Sequence, residues 1–232
     1  MGACVATLVG GLLESAAAAG KLDAASPASA PKRQRELEGA QALARHRARR
    51  YVLIEGLGPI ARSGETAAAT LSRHAMGRHG LLARAEAGER KAYPDLDAAI
   101  AARLKTIRSH PGSQRLSRAA AADIVRRGST HAGDDAAPLR FRHDPTLLST
   151  GAFYGTEEAA LSYLSAMREV PVLLISAEDG WPYPEAALAK RRAALARLQT
   201  TLVAGGSHHC HADPETAPQV AEEISQFIVS QP

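Results

Sequence analysis

The residue types best suited to chemistry gather near the C-terminus, in the stretch GGSHHCHADPE, residues 205–215. Two glycines there let the backbone turn sharply and lift an imidazole over the end of a strand. A histidine held in that way, with a carboxylate behind it, is the base half of a nucleophilic triad. The carboxylate fixes the imidazole tautomer and stabilises the imidazolium while the ring takes a proton. Carboxylates stand at two other strand ends: Glu55 after YVLI, and Glu178 and Asp179 after VPVLLISA. The close spacing of His208, His209 and His211 also suits a metal. Zinc sites, however, draw ligands from separated segments with outer partners that orient them, and no cysteine pair supports one, so no metal and no cofactor is expected. Cys210 would be a nucleophile only as a partly exposed thiolate in electropositive surroundings, and it is expected to face the core.

The elements that must position these groups alternate in an α/β pattern. YVLIEGLGPIA (51–61) is a short β-prone run ending in a Gly-Pro turn, VPVLLISAEDG (170–180) is a continuous apolar run, and TTLVAGG (200–206) is a third. Each reads as a strand buried on both faces of a parallel sheet. Four helices are expected between the first two strands: ETAAATLSRHAM, LDAAIAARLKTIR capped by Asp95, LSRAAAADIVRR stopped by Gly128, and residues 156–168 capped by Thr156. Polar turns are expected around His131–Pro138 and His143–Pro145. PEAALAKRRAALARL follows the second strand, and a last helix carries Val220, Ile224, Phe227 and Ile228 on one stripe. Right-handed crossovers place ligands at the carboxyl ends of such strands.

Upstream, GACVATLVGGLL (2–13) reads as a helix whose small residues permit close approach to a neighbouring backbone, and residues 14–50 read as a low-complexity linker or insertion. Its basic cluster, Arg45, Arg47, Arg49 and Arg50, reads as a solvated face rather than a phosphate contact. The chain of 232 residues fits one domain, and its net charge of +4 is too weak to imply nucleic acid. No basic residue precedes the apolar N-terminal run, the sixth residue is Ala6 where a myristoylation signal needs Ser or Thr, and no retention signal closes the chain. No stretch reaches the about 20 apolar residues of a membrane span. Two cysteines in unlike contexts fit a reducing compartment, and the cytoplasm is the expected location.

The chain resembles α/β-hydrolase-fold enzymes, and within them the serine hydrolase-like proteins. The resemblance rests on LIEGLGP (53–59), RRGSTHAGDDAAPLRFRHDPTL (126–147), REVPVLLISAEDGWP (168–182) and GGSHHCHADPE (205–215), and it covers residues 1–13 and nearly all of 50–232. It implies an incomplete parallel α/β-hydrolase sheet of about three strands, with a helical lid at 62–168 inserted after the first strand and a C-terminal core at 169–232. By resemblance His208 is the catalytic base, with His209 as the alternative one residue later, and His211 caps or packs against the final helix. The family's usual acid position falls on Gly180, so Glu55 is the expected acid, in the manner of haloalkane dehalogenases that carry it after strand six. Asp179 and Glu178 are the alternatives. The opening Met-Gly-Ala matches the end of a Gly-His-Ser-Met-Gly-Ala elbow, which makes Met1 the oxyanion donor and puts the nucleophilic serine before the first residue. Trp181, Phe153 and Tyr154 would line the substrate pocket.

The resemblance thus implies an ester or acyl hydrolase acting on a small ester-like substrate, here as a fragment that begins after its nucleophile and is inactive. Ser63 and Ser149 lie off any elbow, and Ser207 is too close along the loop to His208 to replace that nucleophile. A second reading is a non-catalytic interaction protein, using the exposed edge of the 51–55 strand and the Arg-rich linker, with self-association through that edge. A third takes residues 14–50 as an intron translated in frame.

Overall fold

The computed structural model describes residues 2–23, 38–42, 45, 47–89, 91–131 and 137–230. In chain order the elements are α1 (Gly2–Asp23), β1 (Tyr51–Ile54), α2 (Ala67–Glu86), α3 (Leu96–Arg108), α4 (Arg118–Gly128), β2 (Ser129–His131), β3 (Leu139–Phe141), α5 (Glu157–Ala166), β4 (Val172–Asp179), α6 (Glu185–Ala193), β5 (Leu198–Ser207) and α7 (Ala217–Ser230). The architecture is α/β, with a three-stranded parallel sheet in the order β1-β4-β5 and a separate antiparallel pair, β2-β3. β1 runs parallel to β4 in the register Tyr51↔Val172 to Ile54↔Ile175. Two compact units divide the chain, and β4 and β5 each start in the first and finish in the second.

The first unit comprises residues 1–61, 155–176 and 183–201. Its core is Leu53, Leu57, Leu164, Met167, Val172, Leu174 and Leu195, all buried. Each such side chain contributes about 1.5–3 kcal/mol by leaving water. The small residues of α1 have the purpose their composition suggests. A Cβ on Gly11 would stand 2.9 Å from the Tyr163 backbone, and one on Gly10 2.7 Å from Met167 Sδ, so α1 meets α5 almost backbone to backbone. The helix runs on to Asp23, ten residues past the expected end at Leu13, because Ala-rich sequence favours helix. Residues 24–37 of the expected linker lie outside the described residues. Within the basic cluster, Arg47 is exposed and also paired: its Nε donates to Glu14 Oε1 at 2.8 Å and its Nη2 to Glu14 Oε2, a two-pronged pair that ties this segment to α1.

Arg191 of α6 is buried and organises the turn that follows β1. Its Nη1 donates to the carbonyls of Leu57 and Pro59, each at 2.9 Å. Its Nε and Nη2 grip the two carboxylate oxygens of Glu157 at 2.8 and 2.6 Å. That hydrogen bonding holds the Glu157 carboxyl below its ordinary range. α6 ends at Ala193 rather than continuing to Leu198, because Ala196 N–H must reach the Arg168 carbonyl and the Arg197 carbonyl must receive Val172 N–H to return the chain to the sheet.

The second unit comprises residues 62–154, 177–182 and 202–232. Its core joins α3 and α4 through Ala99, Ile100, Ile107, Leu116, Ala120, Ala121, Ala122 and Val125. The expected caps hold: Asp95 Oδ1 accepts from Ala98 N–H at 2.7 Å at the start of α3, and in the first unit Thr156 Oγ1 accepts from Ala159 N–H at 3.3 Å. Within the 126–147 motif the structure adds the β2-β3 pair beside the expected turns, of which residues 132–136 lie outside the described residues; Phe141 packs edge-on against Tyr93 at 5.6 Å and Tyr93 pairs with Leu139. A three-residue strand is too short to show an alternation among flanking charges. α2 extends to Glu86, ten residues past the expected Met76, and among its described residues only Thr70 is buried. On α7, Val220 and Phe227 are buried as the stripe predicts, whereas Ile228 is 53% exposed.

Candidate active site

The end of β5 is shaped by its two glycines. Gly205 has φ +64, a backbone region that penalises side chains, and a Cβ on Gly206 would press within 3.1 Å of Val203 and Cys210. The chain leaves the strand through Ser207 and turns at once, so His208 is the first residue beyond the ladder. His208 is half-buried, and its N–H donates to Gln114 Oε1 at 3.1 Å. Its ring lies 5.6 Å from that of Trp181 and 5.2 Å from that of His209.

Two neighbouring residues, Gln114 and Arg115, clip the ends of β4 and β5 together. Gln114 Nε2 donates to the carbonyls of Asp179 and Gly180 at 3.1 and 3.0 Å while its Oε1 receives His208. Arg115 Nη1 pairs with Asp179 Oδ2 at 2.5 Å, and its Nη2 donates to the Gly205 carbonyl. Ser207 Oγ donates to the Arg115 carbonyl at 2.5 Å. Glu178 Oε2 accepts from Gly205 N–H at 2.8 Å. The structure therefore brings His208, Trp181, Glu178 and Asp179 into one cluster, held by a dipeptide on the loop before α4.

His209, the alternative base, stands in a different environment. Burial first, then the charges of Arg103, His208, His211 and His110, push its pKa down from 6.5 to about 4. At neutral pH it is an uncharged ring that resists protonation, which suits a base poorly. His211 is exposed, with its ring 6.1 Å from that of His209. Cys210 is fully buried, as a core residue, and not in the partly exposed setting a thiolate needs. Among the described residues no three of His, Cys, Asp and Glu are grouped to hold a metal.

Glu55 belongs to the first unit. It follows β1 directly, its N–H donates to the Ile175 carbonyl at 2.8 Å, and it is 8% exposed. Its φ of 57 makes it the one non-glycine with positive φ among the described residues. That conformation costs about 1–2 kcal/mol in a residue bearing a Cβ, and such strain concentrates at functional positions.

No family model matches the chain, and no curated protein matches it. Solved structures do. One is the hypothetical protein PA1622 from Pseudomonas aeruginosa PAO1, 25% identical with a TM-score of 0.63 over 84% of this chain and 62% of that one. Another is the thioesterase domain from the curacin biosynthetic pathway, 15% identical with a TM-score of 0.58 over 81% of this chain and 61% of that one. This chain has the α/β-hydrolase fold. It spans about three fifths of the length of these two structures, 62% and 61%.

In an α/β hydrolase the reacting groups belong at the carboxyl ends of the parallel strands, where Glu55, Glu178, Asp179 and His208 all occur. Phe153 and Tyr154 are the other two residues expected to line the substrate pocket with Trp181. Phe153 is 80% exposed, and Tyr154 stacks under the Arg62 guanidinium at 4.6 Å while its OH accepts from Gly151 N–H. Met1 lies outside the described residues. Gln114, Arg115 and Arg103 carried no motif and were missed. For Arg103 a signal existed: it is a charge on the apolar stripe of α3, between Ala99, Ile100 and Ile107.

Proposed function

We propose that this chain is part of a serine hydrolase-like α/β hydrolase for small esters or related acyl compounds, with His208 as general base. The observation that carries this reading is the position of His208: first residue past β5, half-buried, its backbone fixed by Gln114 and its ring set against Trp181. Glu55 is the favoured acid for its strained place at a strand end, with Asp179 and Glu178 as alternatives. Asp179 is already engaged by Arg115 and Glu178 by Gly205 N–H, which makes both less available.

The 232-residue polypeptide does not by itself turn over esters in this reading. Its serines at the positions of interest have structural duties. Ser207 is 6% exposed and bonded to Arg115, Ser63 Oγ accepts from Glu65 N–H, and Ser149 Oγ donates to the Thr146 carbonyl. Without an activated hydroxyl and its oxyanion donors, an imidazole and a carboxylate add little to solution chemistry. A fluorophosphonate probe and p-nitrophenyl butyrate test this. No serine should be labelled, and hydrolysis should match that of His208→Ala. Labelling of one serine, abolished with turnover in His208→Ala, would show a complete enzyme instead.

A second reading, a docking module, is favoured by the sheet order, which leaves β1 at an edge, and by Val9 and Leu12 of α1, which are 45% and 53% exposed. Light scattering against concentration separates the two. A dimer that dissociates when a lysine replaces Leu12 supports docking, and a monomer throughout the micromolar range removes it.

A further inference from the structure

α2 turns a narrow stripe toward the second unit and the rest toward water. Thr70 is buried, and His74, Leu81 and Ala85, at helical spacing from it, are half-buried. Leu71, Met76 and Leu82 fall off that stripe and are exposed. The helix packs against the 3-10 turn Pro145–Leu148, and His74 Nδ1 donates to the Thr150 carbonyl at 2.5 Å. The segment held there exposes Leu147, Leu148 and Phe153 in turn. These six large apolar side chains, from 40% exposed at Leu82 to 80% at Phe153, stand on two pieces of chain in contact and take no part in the core of their unit. An apolar surface of that kind marks a place of interaction.

The charge around it has one sign. Arg73, Arg78, His79 and Arg84 are exposed on α2, and Arg62 lies 4.6 Å over the Tyr154 ring, next to Phe153. No Asp or Glu occurs between Ala67 and Ala85; Glu65 and Glu86 stand at the two ends of the helix. Asp144 caps the 3-10 turn, its Oδ1 accepting from Thr146 N–H at 2.8 Å. Apolar tips among arginines suit the interface of a bilayer, where the tips enter the acyl boundary while the guanidinium groups reach out to phosphates. A second copy of this chain would instead set the same arginines against one another. We propose that α2 and the 145–153 segment form a docking surface for an anionic lipid bilayer. The bilayer is gripped at its headgroups and not spanned, and the surface acts whatever the role of His208.

The test is sedimentation of the full chain with vesicles. Phosphatidylcholine vesicles containing about a third phosphatidylserine should bind it about tenfold or more better than phosphatidylcholine alone. Salt at about 1 M, where charges are screened beyond about 3 Å, should remove most of that preference. Phe153→Ser and Leu148→Ser should each weaken binding about threefold or more. Replacing three arginines together (Arg73→Gln, Arg78→Gln, Arg84→Gln) should bring the two kinds of vesicle level. Leu202→Ser, which removes an exposed leucine from β5, should bind as the native chain does. All these side chains are at the surface, so melting temperatures should stay level. Should a variant melt early, the native chain still decides through its vesicle preference and salt dependence. Equal binding to both vesicles, no binding to either, or a preference untouched by the apolar substitutions overturns the surface. Binding of poly-glutamate without binding of vesicles overturns it too, and would assign the face to an acidic protein.

Discussion

His208 and His209 are adjacent, yet their surroundings give them opposite aptitudes. His209 is held neutral by burial and by the cations around it, with its pKa pushed from 6.5 to about 4. A group whose folded value is depressed stabilises the fold fully above its unfolded value and loses that contribution as pH falls through the folded one. The stability owed to His209 is therefore intact above pH 6.5 and lost progressively towards pH 4. His209→Gln should flatten the acid limb of a melting-temperature profile across that window, which differential scanning calorimetry can read. An unchanged limb would mean that the ring is solvated. The same contrast limits what a sequence can reveal. GGSHHCHADPE shows that an imidazole can be presented after a strand, because Gly205 takes the positive φ that the sharp turn needs. It does not show that the His209 ring is held neutral, since that depends on its burial and on Arg103 and His110, roughly a hundred residues upstream in sequence.

At the scale of elements, the β1 turn is fixed by Arg191 more than by its own glycines. Arg191 donates two hydrogen bonds to Glu157 and one each to the Leu57 and Pro59 carbonyls. Removing Arg191 strands a part-buried carboxylate and the buried Leu57 and Pro59 carbonyls, so Arg191→Met should cost about 1–3 kcal/mol in urea unfolding. Arg191→Lys should recover little of it, because an ammonium cannot span a carboxylate and two carbonyls at once. A loss near zero would show that the turn holds itself. The pair also sets an acid dependence. The Glu157 carboxyl is held below 4.5, so its contribution is complete above that pH and fades as pH falls through the lower folded value. Strands β1 and β4 were legible because apolar runs ended by turn residues have few alternatives, whereas β5 was legible as a strand but not as a buried one, with Leu202 60% exposed. The caps Asp95 and Thr156 were legible for the same local reason. The β2-β3 pair and the Gln114-Arg115 clip were not, because their partners come from distant sequence that no local pattern encodes.

For the whole molecule, the α/β-hydrolase fold accounts for why three strand ends carry acids or an imidazole, and the likeness to solved structures covers most of the chain, 84% and 81%. Among the described residues no helix is long and apolar enough to cross a membrane. The fold provides a place for chemistry without fixing the reaction. In the proposed reading, a carboxylate that orients His208 turns position into function. Nitrogen-15 spectroscopy of the imidazole at neutral pH tests that most directly, in the native chain and in Glu55→Gln, Glu178→Gln and Asp179→Asn. The expected result is a ring protonated on Nδ1 with a bare Nε2, and a marked change of the Nδ1–H signal in one of the three substitutions. A ring protonated on Nε2, or one indifferent to all three substitutions, would contradict His208 as the base of a hydrolase.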